Sequence, residues 1–76
     1  MIYEYFKGEF EGGLTILVQL NPNTYEGLEL SIYPDKTIDK RELQFDEDIY
    51  EDLEVDGFKP ASALEFNLYL KGVTGQ

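Results

Sequence analysis

Alternation of apolar and polar positions dominates the chain, and it predicts strands. In Ile2–Phe10 the even positions Ile2, Phe6 and Phe10 form one apolar set; in Leu14–Leu20 the set is Leu14, Ile16, Val18 and Leu20. Glu11-Gly12-Gly13 separates the runs. A loop of that length puts Phe10 opposite Leu14, so both sets share one face of a hairpin. Asn21-Pro22-Asn23 ends the second strand, because proline lacks the amide donor and asparagine favours turns. Leu28–Tyr33 alternates again, with Leu28, Leu30 and Ile32 assigned inward. Pro34-Asp35-Lys36 reads as a turn and Thr37–Phe45 as a weaker strand. Taking Pro34–Thr37 as the loop sets Leu28 against Leu43 and Glu29 against Glu42, a like-charge pair. The mixed charge of Asp39, Lys40, Arg41 and Glu42 marks an edge strand.

The period changes after Phe45. Ile49, Tyr50 and Leu53 form a helical stripe within Asp46–Asp56, with Asp46 or Asp48 as N-cap and Gly57 as the stop. Glu51, three residues after Asp48, has capping-box spacing. Leu64–Lys71 returns to alternation and predicts a final strand with Leu64, Phe66, Leu68 and Leu70 inward. Residues 72–76 are expected to fray. The fold class that results is α+β: a four- or five-stranded antiparallel sheet with one short helix packed on its apolar face. The alternative is an all-β small sandwich or barrel in which Glu51–Val55 is another strand. With no repeat or linker, residues 1–76 read as a single domain.

Composition narrows the function classes. The 76 residues carry a net charge of −10, yet 42% are hydrophobic and 14% aromatic, enough to build a core. Charge of one sign implies self-repulsion that salt or a basic partner relieves. The chain has no Cys and no His, which removes thiolate chemistry and the commonest general base and metal ligand. No apolar run approaches the ~20 residues of a membrane span, and Met1-Ile2-Tyr3-Glu4 is no secretory leader. A soluble, cytoplasmic protein is the expectation.

Acidity concentrates in Asp35–Asp56, which holds ten of the sixteen carboxylates. On a helix, Glu47, Glu51 and Glu54 share roughly one face, which would dock a basic partner or mimic phosphates; the plainer reading is a solvated face. Within the run, Asp52-x-Glu54-x-Asp56-Gly57 resembles the first half of an EF-hand calcium loop. The resemblance covers about six residues. Ala63 stands where that family has its bidentate glutamate, Lys59 and Pro60 occupy the eighth and ninth loop positions, and a strand is expected to follow. What it implies is at most a weak cation site at Asp52, Glu54 and Asp56, against a simple Asp-Gly turn.

Catalysis lacks its parts. Ser31 and Ser62 have no histidine beside them, and Gly8, Gly12 and Gly13 form no phosphate loop. No catalytic residue and no cofactor is expected. The alternation also sets Tyr3, Tyr5, Leu17, Tyr33 and Tyr69 on the face opposite the core. A tyrosine-bearing face with little charge has the composition of a protein interface, although tyrosine also favours strands as such. Direct nucleic-acid binding is disfavoured by the charge. The first expectation is therefore a non-enzymatic interaction module that binds a protein partner, a basic one by charge complementarity, or forms a homodimer. A nucleic-acid-mimic decoy and a weak calcium-binding module are the alternatives.

Overall fold

The computed structural model describes residues 2–74. Strands β1 (Glu4–Phe10), β2 (Leu14–Leu20), β3 (Glu26–Ile32) and β4 (Ile38–Gln44) form an antiparallel meander. Helix α1 (Ile49–Val55) follows, then the short β5 (Lys59–Pro60) and helix α2 (Ala63–Thr74). β5 pairs with β1, giving the sheet order β4-β3-β2-β1-β5. The fold is α+β, with a five-stranded antiparallel sheet and a short helix on it. The sequence pattern predicts one helix, and α2 is a second.

The first hairpin has the register its pattern demands, with Phe10 opposite Leu14. β2 is central and apolar on both faces. Ile16, Val18 and Leu20 point one way and join Phe6, Tyr25, Phe45 and Phe58 beneath Ile49 and Leu53 of α1. Leu17 points the other way, into a cluster with Leu30 and Phe66 that Tyr5, Leu28, Ile32, Ile38 and Leu70 enclose. The sheet thus lies between α1 and α2, and each helix has its own core.

In two places the structure departs from the pattern. Leu28, Leu30 and Ile32 do not share the face of Ile16 and Val18. Leu20 pairs with Gly27, so Leu17 meets Leu30 and Val18 meets Glu29. The β3–β4 register is also one residue from the expected one. Tyr33 donates to the Thr37 carbonyl at 2.9 Å and accepts from the Lys36 amide at 2.8 Å. Lys36 takes the left-handed position (φ 72°), as the last residue of a three-residue hairpin loop commonly does. Glu29 therefore opposes Arg41, with 3.6 Å between charged atoms, and the like-charge pair never forms.

The segment over Leu64–Lys71 is a helix, not a strand. Ser62 Oγ accepts the Glu65 amide at 3.0 Å, the serine half of a capping box, and Ala63, Leu64, Glu65, Leu68 and Leu70 all favour helix. Phe66 and Leu70, one turn apart, supply the inward stripe. Lys7 Nζ donates to Glu65 Oε2 at 2.8 Å and ties α2 to β1. Of the tail expected to fray, residues 72–74 belong to α2, and 75 and 76 lie outside the described residues.

The predicted helix over Asp46–Asp56 is present in its central part. Asp48 occupies the N-cap without a side-chain cap bond; its amide instead donates to Asp46 Oδ1 at 2.9 Å. At the other end Gly57 (φ 84°) lets its own amide reach Glu54 O at 3.1 Å and that of Phe58 reach Leu53 O at 2.9 Å. This is a Schellman closure, and Phe58 packs back into the core that holds Leu53.

Candidate interaction surface

The face that carries Tyr5 and Leu17 is not open. α2 crosses it, Leu17 is 0% exposed, and the Tyr5 ring lies 5.3 Å from that of Phe66. Burial pushes the Tyr5 hydroxyl pKa up, and Tyr3 nearby adds to the shift. Leu17 is therefore core, and Tyr5 is partly so. Tyr3, Tyr33 and Tyr69 remain exposed. They do not form one patch: Tyr69 lies near Lys7 and Glu65 on α2, Tyr33 sits in the β3–β4 hairpin loop, and Tyr3 borders a separate depression.

That depression is the part of the same face that α2 leaves uncovered. It has a volume of about 510 Å³ and is bordered by Tyr3, Gln19, Leu28, Lys40, Glu42 and Gln44. Leu28 supplies an apolar floor, while the polar groups stand at the β4 margin. Asn21, buried at one end of it, holds the β2–β3 turn by accepting the amides of Asn23 and Thr24 on Oδ1 at 2.9 and 3.2 Å.

The acidic candidates lie on the opposite side of the sheet. Glu47, Glu51 and Glu54 are all exposed, and α1 has no basic residue in its last turn. Asp52, Glu54 and Asp56 do not converge. Asp52 and Asp56, one turn apart, border a small cleft with Phe10 and Phe58, whereas Glu54, two residues from each, points elsewhere on the helix. Alternate spacing gathers ligands in a loop and separates them on a helix. Among the described residues, no group of three acidic side chains is placed to hold a metal ion. Beside these residues, Tyr50 donates its hydroxyl to Glu4 Oε1, and this bond, with burial, pushes its pKa up to about 12.

The outer side of α2 was missed. Phe66 and Leu70 face the sheet, so Leu64 and Leu68 face away, 71% and 64% exposed and one helical turn apart. Glu65 and Lys71 are the charged residues of the helix, and Glu65 is engaged by Lys7. A helix with leucines on both sides is normally buried on both. The apolar residues themselves were visible in the sequence; reading them as a strand put all four on one face. No described helix is long and apolar enough to cross a membrane. In comparisons with known proteins, no family model, no curated protein and no solved structure matches this chain.

Proposed function

We propose that the chain is a non-enzymatic interaction module that docks a protein partner on the outer side of α2. One observation carries this reading: Leu64 and Leu68 stand exposed, one turn apart, on a helix whose opposite side is already packed. Two solvated leucines at that spacing match the anchor pattern of helix-in-groove recognition. The net charge of −10 favours a partner whose groove has a basic rim, because such a rim speeds encounter and excludes acidic competitors. Glu47, Glu51 and Glu54 contribute to this field from the far side of the sheet and do not touch the docked helix.

The test uses the whole chain as bait at physiological ionic strength, alongside a Leu64→Glu/Leu68→Glu variant and a Lys40→Glu control. All three are checked for native circular dichroism first. A partner held by the wild type and by the Lys40→Glu chain, but released by the leucine variant, supports the reading. Equal capture by all three, or none by the wild type, contradicts it.

A further inference from the structure

The edge of the sheet at β4 points to an activity separate from α2. β4 is the outermost strand, and its residues Asp39, Lys40, Arg41, Glu42 and Gln44 are exposed. At the two ends of the β3–β4 ladder, Tyr33 donates to Thr37 O at 2.9 Å and Phe45 donates to Tyr25 O at 2.8 Å. Odd-numbered positions of this strand therefore turn their backbone groups toward β3. By alternation, Ile38, Lys40, Glu42 and Gln44 turn their N–H and C=O groups outward. Among the described residues no partner takes these groups, and such a row is a template for another strand.

Charge identifies which strand. The chain as a whole carries −10, but β4 holds two acids, Asp39 and Glu42, against two bases, Lys40 and Arg41. It is locally neutral, so a second acidic copy meets less repulsion there than along the acidic segment Asp46–Asp56. We infer that two copies of this chain pair antiparallel along β4, with the two-fold axis through Arg41 and the sheets continuous across it.

The register follows from symmetry. Opposed residues of an antiparallel pair share a face, so the axis must pass through a residue rather than between two. Axes through Lys40, Arg41 and Glu42 each set one charged residue against its own copy, so the extent of overlap decides among them. The axis through Arg41 overlaps all seven residues of the strand, Ile38 with Gln44 and Lys40 with Glu42 of the second copy, twice over. Those opposed residues are the ones whose backbone groups face outward, so each pair exchanges two hydrogen bonds. Arg41 meets its own copy on the other face, where each guanidinium already has Glu29 within 3.6 Å and gains Asp39 of the second copy as its diagonal neighbour. The depressions beside Lys40 and Glu42 would then adjoin across the axis.

Sedimentation equilibrium on the full chain, from micromolar to millimolar concentration at fixed ionic strength, reads the mass directly. The wild type is expected to approach twice its 8.8 kDa. Lys40→Glu and Glu42→Lys each place like charges opposite one another at both symmetric positions. Each is expected to weaken association on the order of tenfold or more. The double swap Lys40→Glu/Glu42→Lys restores complementarity and should recover it. These side chains are exposed, so the monomer fold is unaffected, which circular dichroism verifies. A monomeric wild type at millimolar concentration overturns the inference. So does a dimer indifferent to the single swaps, or a double swap no better than either single one. Leu64→Glu/Leu68→Glu leaves this dimer intact; its loss in that variant would place the interface on α2 and contradict pairing at β4.

Discussion

Replacing Phe66 by alanine removes the side chain that holds α2 to the sheet. Phe66 is 0% exposed and sits on Leu17 and Leu30, with the Tyr5 ring at 5.3 Å. Truncating a buried phenylalanine costs about 3–5 kcal/mol, the transfer loss plus the cavity left behind. Marginal stability of about 0.05–0.15 kcal/mol per residue gives a chain of 76 residues about 4–11 kcal/mol in total. The Lys7–Glu65 pair is partly exposed and contributes at most about 1 kcal/mol. Leu70 packs only at the margin of the cluster, and a helix of 12 residues is marginal on its own. α2 should therefore undock and fray while the α1 side of the sheet persists. Urea unfolding followed by circular dichroism, with amide hydrogen exchange by mass spectrometry, reads both effects. With an m-value of about 1 kcal/mol/M, a 3 kcal/mol loss lowers the midpoint by about 3 M. Exchange should rise across residues 63–74 before it rises in β2 and β3. Phe66→Leu, nearer in volume, should cost less than about 1.5 kcal/mol and keep the helix. An alanine variant that loses under about 1 kcal/mol, or whose residues 63–74 stay as protected as β2, would refute the reasoning.

Other outcomes follow from the same structure. Gly27→Ala drives a methyl into the Phe45 ring, 2.8 Å from Cδ2, and should cost about 1–3 kcal/mol by thermal melt, whereas Gly27→Ala combined with Phe45→Leu should recover part of that loss. Ser62→Ala removes the acceptor of the Glu65 amide and should cost about 1 kcal/mol, while Ser62→Asp or Ser62→Thr should not. Tyr50 has its folded pKa raised to about 12, above the ordinary value of 10.0, because the neutral hydroxyl is held by Glu4. The folded state thus keeps a proton that the unfolded state releases. Its contribution is complete below pH 10 and is lost as pH rises through about 12. Spectrophotometric titration should find Tyr50 titrating late in the wild type, with Tyr5 also raised, and only Tyr50 falling in Glu4→Gln; an unchanged titration curve would contradict the Glu4 assignment.

How far the fold was legible in the sequence differs from element to element. The β1–β2 hairpin is legible because two constraints agree: the length of Glu11-Gly12-Gly13 and the matching apolar sets on either side. The β3–β4 register is not, since Lys36 adopts a left-handed conformation that nothing in its side chain advertises. A shift of one residue there exchanges an apparent Glu29–Glu42 clash for the Glu29–Arg41 pair. α2 is the instructive case. Leu64, Phe66, Leu68 and Leu70 fit a period of two, while Phe66 with Leu70 fits a helix equally. Ser62 and Glu65 at capping-box spacing, with helix-forming residues between and after, are the local signal that decides it. The misplaced surface follows from that choice. With α2 read as a strand, Leu17 and Tyr5 lie on an open face; with α2 as a helix they are covered, and Leu64 and Leu68 take the exposed position. The apolar character of Leu17 beside Val18 already marks a strand buried on both sides.

The outward leucines of α2 underlie the proposed function, and one measurement addresses them directly. Backbone chemical shifts of residues 63–71, recorded with paramagnetic solvent relaxation of the leucine methyls, report helicity and exposure in the same sample. Helical shifts should span the segment. Leu64 and Leu68 methyls should relax strongly, while those of Leu17, Leu30 and Leu70 relax weakly. Extended shifts across the segment, or Leu64 and Leu68 as shielded as Leu30, would contradict the account.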